Sequence, residues 1–221
     1  LANATQYFVL VDCGEELVGP KTKGYSATIA SLAFLARLLS NNQLDEAGLE
    51  SALENTDSYL KQGELVHQLA IRFKDADFSF MIGSGSNHGT AREAALKIME
   101  IAKFPSAFLD VEDSLHGPLT SLTSKSFVVV FGGECAVGQR IPGVLTILEE
   151  IGVRGFYISS GQIIPIGENL QSRGIAVSDA DPISDIVPVQ LFAYYLALER
   201  NVSPTKFTYD RNVVRAITKK M

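Results

Sequence analysis

Glu93, Lys97 and Glu100 lie in one uninterrupted stretch, GTAREAALKIMEIAKF, that follows the glycine-serine segment IGSGSN (Ile82 to Asn87). An α-helix turns about 100° per residue, so positions i, i+4 and i+7 share one narrow stripe. Ala91, Ala94, Ala95, Leu96, Ile98, Met99, Ile101 and Ala102 fill the rest of the run. They predict a mostly buried helix whose Glu-Lys-Glu stripe alone meets water or a cleft. Two carboxylates bracketing an ammonium can hold different protonation states, which is what proton-transfer chemistry needs. The same spacing also suits a solvated ion pair worth only tenths of a kcal/mol. The helix alone leaves both readings open.

Three loops carry further candidates. Gly83, Ser84, Gly85, Ser86 and Asn87 lead from a strand into the helix. Backbone N–H groups at a helix N-terminus favour anions, and glycines allow close approach, so Ser84, Ser86 and Asn87 are candidate substrate contacts. A dinucleotide fingerprint needs glycine at the sixth position, where this chain has His88, and Asp110 arrives 27 residues after Gly83 with that pattern already broken. A capped βα turn also accounts for the loop. His116, followed by Gly117-Pro118, cannot continue a helix and is displayed at a turn. Lys21 and Lys23 precede the first long helix, where basic residues oppose the helix dipole; an anionic partner or a solvated basic turn both fit.

The elements that must position these residues alternate. Tyr7 to Asp12 (YFVLVD) reads as a short buried strand and Ser26 to Leu39 as an apolar helix, with Asn41-Asn42 as a stop signal in the polar stretch Ser40 to Gly48. Asn55 to Lys74 reads as one helix. Strands are expected at Phe78 to Ile82, Ser106 to Asp110, Phe127 to Phe131, Arg154 to Ser159 and Gly174 to Val177. Helices are expected at Ala136 to Ile151 and at Ile183 to Arg200, where Pro188 kinks the helix or sits in its first turn. Short continuous apolar strands alternating with helices predict an α/β fold, three-layer α/β/α with a mainly parallel sheet covered on both faces. The first segment supplies too little to bury a core alone. It reads as the tail of a preceding domain (residues 1–50), ahead of a complete domain (51–221).

Of the 221 residues, 46% are hydrophobic and 20% charged, as in a globular protein with a full core. The net charge of −6, without a Lys/Arg cluster, argues against nucleic acid. No apolar run reaches the ~18 residues of a membrane span, and the first residues lack the basic start of a signal peptide. With only Cys13 and Cys135, a reducing cytoplasm is the simple expectation. His67, His88 and His116 are too scattered for a sequence-local metal site.

Four segments in order resemble the sugar isomerase (SIS) family, closest to the two-SIS-domain arrangement of the isomerase half of glucosamine-6-phosphate synthase and of fructosamine-6-phosphate deglycases. They are GPKTKGYSATI, IGSGSNHGTAREAALKIMEI, LHGPLTSL and VPVQLFAYYLAL. The resemblance implies that Glu100 moves the proton between C1 and C2 of an open-chain sugar. It implies that His116 assists ring opening from a neighbouring subunit, and that Glu93 and Lys97 support the site. Lys21 falls where the synthase has a sugar-contacting serine. Arg215, in DRNVVR, stands where that family has its ring-opening lysine; arginine stays protonated, makes a poor Schiff-base nucleophile and still binds a phosphate or carboxylate. The phosphate loop of a first SIS domain and a glutamine-hydrolysing domain are absent from the 221 residues.

The expectation is a cytoplasmic, homodimeric or higher homo-oligomeric enzyme acting on a sugar 6-phosphate or a fructosamine 6-phosphate. Isomerase or deglycase chemistry would proceed without metal or redox cofactor, nucleic acid or membrane. A non-catalytic sugar-phosphate-binding or assembly module, or a piece of a larger two-domain enzyme, is the alternative.

Overall fold

Phe127, Val128, Val129, Val130 and Phe131 are all fully buried, because this strand has helices on both sides and strands at both edges. The computed structural model describes residues 4–40, 46–133, 138–167, 180–206, 208 and 212. Among them the helices are α1 (Lys23–Leu39), α2 (Glu46–Lys61), α3 (Gly63–Phe73), α4 (Ser86–Ala102), α5 (Val111–Leu115), α6 (Ile141–Glu150) and α7 (Val187–Glu199). The strands are β1 (Phe78–Ile82), β2 (Ser106–Leu109), β3 (Ser126–Phe131), β4 (Arg154–Ser159) and β5 (Gln162–Ile166). They form one sheet, ordered β2-β1-β3-β4-β5. The first four are parallel and β5 runs antiparallel to β4.

That order decides which face each helix covers. The chain steps from β1 outward to β2, then back past β1 to β3. Right-handed crossovers taken in opposite directions place their connections on opposite faces. So α4, with α3 and α7, packs Ala94, Ala95 and Ile98 against Met81, Phe127 and Val129. On the other face, α5 and α6 pack Val111, Ile141 and Val144 against Ile82, Val128 and Val130. Alternate residues of β3 thus serve two cores, as the period of two in a strand requires. At Gly155 the two central strands approach so closely that a Cβ would lie 1.8 Å from the Val128 carbonyl oxygen, so only glycine fits.

The expected α/β architecture is present, with three differences of detail. Asn55 to Lys74 is not one helix: α2 and α3 are separated at Gln62, whose side chain bonds the Ser58 and Gly161 carbonyls and accepts from the Ile163 amide. Of the stretch read as a helix from Ala136, the described part begins with a 3₁₀ turn, Gly138–Arg140, ahead of α6. Pro188 lies in the first turn of α7, one of its two expected places. Tyr7 to Asp12 is not a strand: Tyr7, Phe8, Val9 and Leu10 are all exposed, and no strand of the sheet pairs with them. An extended segment becomes a buried strand only where a neighbour accepts its backbone hydrogen bonds, and neither edge strand, β2 or β5, pairs with this one. Gly174 to Val177, read as a strand, lies outside the described residues.

Helix α1 keeps no fully buried residue. Its start is nonetheless held to the domain: Ser26 Oγ donates to the Ile183 carbonyl at 2.8 Å, and Gln190 Nε2 to the Thr22 carbonyl at 3.3 Å. Among the described residues no helix is long and apolar enough to cross a membrane.

Candidate active site

Alanines at 91, 94 and 95 let α4 lie close to the sheet and to α7, and this closeness sinks Lys97. Its side chain is 3% exposed, against 19% for Glu93 and 38% for Glu100. The ammonium lies 3.3 Å from Glu93 Oε1 and 2.5 Å from Glu100 Oε2. The stripe is therefore a graded triad, with a buried cation at its centre and its most open carboxylate at one end. Leu96 and Met99, expected inside, are exposed instead. Lys103 ends the helix in a left-handed conformation, φ 53°, and its ammonium bonds the Glu100 carbonyl. Tyr25, from α1, places its hydroxyl 3.3 Å from Thr90 Oγ1, one turn before Glu93. Burial, more than Glu93's charge, pushes the Tyr25 phenol above its usual value, so it stays a neutral donor.

Replacing Lys97 with Met leaves two carboxylates facing each other over a buried methyl. The expected loss is roughly 1–3 kcal/mol, held below the fully buried case by the solvent around Glu100. Chemical denaturation checks it, and an unchanged midpoint would show that the triad carries no net interaction.

The glycine-serine loop is held in the fold by tight backbone packing and a buried hydrogen-bond network. Gly83 must be glycine, since a Cβ there would sit 2.4 Å from the Asn87 carbonyl oxygen. Gly85 turns the chain at φ 57°. Ser84 is buried and Ser86 exposed. Asn87 is fully buried: its Nδ2 donates to the Gly132 carbonyl at 2.7 Å and to Asp185 Oδ2 at 2.8 Å. Asp185 also accepts from Tyr59 Oη at 2.7 Å and from the Asp181 amide at 3.1 Å. Despite these donors, burial dominates and raises the Asp185 carboxyl to about 6, while Tyr59 is held far above the usual phenol range. This network ties α2, α4 and the lead-in to α7 to the end of β3. Asp185 and Tyr59 were missed in the sequence.

Asn87 and Glu100 are thirteen positions apart on one helix, about 20 Å along its axis. An open-chain six-carbon phosphate has the backbone length of about three extended residues, roughly 10 Å. A substrate of that length spans about half of this separation. The structure joins Glu93, Lys97 and Glu100, and separates Ser84, Ser86 and Asn87 from the Glu100 end.

His116 is separated too, by the sheet itself. It caps the C-terminus of α5, on the face opposite α4, with its ring 72% exposed. Its Nε2 lies 3.2 Å from Glu112 Oε1. Asp110, which could have served a ribose, instead caps α5 by accepting from the Glu112 amide at 2.9 Å. Lys21 is exposed. The basic turn around it already has an anion: Glu16 accepts from the amides of Thr22, Lys23 and Gly24. This local carboxylate answers the helix dipole, a partner not foreseen in the sequence. Arg215 lies outside the described residues.

A relative from Pyrococcus horikoshii, a glutamine–fructose-6-phosphate aminotransferase (isomerizing), is 30% identical over 99% of this chain and 36% of its own length. The chain thus spans about a third of that relative. A solved C-terminal domain of glucosamine-fructose-6-phosphate aminotransferase from Francisella tularensis superposes with TM-score 0.71 at 18% identity, covering 87% of this chain and 58% of that one. A glucosamine-6-phosphate deaminase from Thermotoga maritima superposes with TM-score 0.69 at 21% identity, covering 90% and 59%. No family model matches the sequence. The sequence similarity over the whole chain and the shared fold support the resemblance to the sugar isomerase (SIS) family.

Proposed function

We propose that the chain acts on a sugar 6-phosphate by moving a proton between C1 and C2 of the open-chain form. Glu100 is the base and the Glu93–Lys97 pair holds it in place. The observation that carries this reading is the graded triad. A buried ammonium fixes the Glu100 carboxylate from behind and leaves its other side open, as a base reaching a substrate C–H must be. In the ketose-to-aldose direction Glu100 takes a proton from C1 and returns it to C2. The negative charge passing through the enediolate oxygen is stabilised by nearby hydrogen-bond donors and cations. An amine leaving from C1 of a fructosamine 6-phosphate would begin with the same proton transfer.

His116 serves this site from a second copy of the chain. In support, the sheet stands between His116 and Glu100 within one copy. Residues 1–50 belong, in this reading, to a first SIS domain and 51–221 to a second. The exposed Tyr7 to Leu10 and the unburied α1 support that division. Lys21 and Arg215 hold the anionic ends of the substrate. The loop at Ser84, Ser86 and Asn87 orients α4 and does not grip the same sugar as Glu100.

The test is incubation of fructose 6-phosphate with the protein in deuterated water. Deuterium entering C1 or C2 at a protein-dependent rate is the expected result; binding without exchange would favour the non-catalytic sugar-phosphate module. Arg215→Ala is expected to raise KM more than it lowers kcat, because ground-state binding is what it removes. Steady-state kinetics showing the reverse would make Arg215 part of the chemical step.

A further inference from the structure

We propose that Glu112, held in turn by Arg140, is the positioning residue for His116; the inference rests on the functional reading above. Arg140 Nη1 lies 3.1 Å from Glu112 Oε1 and 3.0 Å from Oε2, so it grips both oxygens of one carboxylate. The same Oε1 receives His116 Nε2 at 3.2 Å. Glu112 sits in the first turn of α5, which Asp110 caps, and His116 closes that helix one turn later. The i,i+4 spacing stacks the carboxylate beneath the ring. Arg140 comes from the 3₁₀ turn that opens α6, so two separate elements meet at Glu112.

An ionised carboxylate can only accept a hydrogen bond. Nε2 of a neutral His116 therefore carries the ring proton, and Nδ1 is left as the nitrogen that exchanges a proton with a substrate oxygen. An imidazole that is 72% exposed has little else to hold its angle. Without Glu112 the ring would sample several rotamers, each presenting Nδ1 differently to a site on another copy. Arginine is suited to this hold, because its guanidinium never loses its charge.

Two measurements on the full chain test this. Carbon-13 relaxation of the His116 ring is expected to show lower order in Glu112→Gln and in Arg140→Met, with the α5 backbone unchanged and the His67 ring as control. A ring equally mobile in wild type and both variants would overturn the proposal. In the exchange assay, Glu112→Gln is expected to lower kcat roughly 10- to 100-fold with little change in KM, as misplacement of a catalytic group does. In a His116→Gln background it should have no further effect, since a residue acting through another is non-additive with it. Additive losses would also overturn it, showing a structural role for Glu112. Full exchange in His116→Gln alone would refute the functional reading of His116, while the ring-order measurement would still decide whether Glu112 positions it.

Discussion

Glu100→Gln is expected to abolish exchange of the C1 or C2 proton with solvent while sugar-phosphate binding survives. The substitution keeps the shape of the side chain and the contact with Lys97, and removes only the proton acceptor. Loss of a positioned base typically slows a reaction by roughly 10²–10⁴. Glu93→Gln should be milder, because Glu93 touches Lys97 at 3.3 Å and is the less exposed of the two carboxylates. The comparison separates a catalytic stripe from a stabilising one. A solvated ion-pair stripe would lose a few tenths of a kcal/mol from either change, with no difference in exchange. Wild-type exchange in a folded Glu100→Gln protein would leave that second reading standing.

The second large effect is on stability. Asp185 titrates near pH 6 in the fold, because it is buried, against 3.8 ordinarily. A carboxyl raised in this way contributes stability that is complete below pH 4 and lost as pH rises through 6. Ionising it costs the fold about 3 kcal/mol relative to the unfolded chain. The wild-type protein is therefore expected to lose stability between about pH 4 and 6 by an amount that Asp185→Asn does not show. The variant itself should be less stable at low pH, because an amide offers one acceptor oxygen where Tyr59, Asn87 and the Asp181 amide all donate. Urea melts of both proteins across this range measure the difference. A wild-type-minus-variant gap that does not change with pH would show that Asp185 is ionised throughout.

These two residues also mark what could be read from the sequence. The 93–97–100 stripe is a local helical pattern, so spacing alone revealed it. The depth of Lys97 was not local: it follows from the alanines drawing α4 against the sheet and α7. Asp185 meets Asn87 across 98 positions and Tyr59 across 126, and no periodicity signals such a meeting. The hairpin β4–β5 had a signal that went unused. Ser160 and Gly161, at φ 47° and 73°, form a two-residue turn between RGFYIS and QIIPI, and such a pair between apolar runs is a hairpin mark. Tyr7 to Asp12 failed the other way. Its composition suits a strand, but composition cannot supply a partner. The placement of His116 opposite α4 depends on strand order, which local patterns do not reveal.

The proposed site joins α4 of one copy to His116 of another, and mixing two impaired variants tests this most directly. Glu100→Gln and His116→Gln chains are each expected to be strongly impaired alone. Unfolded together and refolded, they form mixed dimers in which one of the two sites has both residues intact. With random pairing, about a quarter of the wild-type exchange rate should return. If each copy holds a complete site of its own, every site in the mixture carries a defect. Exchange would then stay at the level of the separate variants, contradicting the shared site.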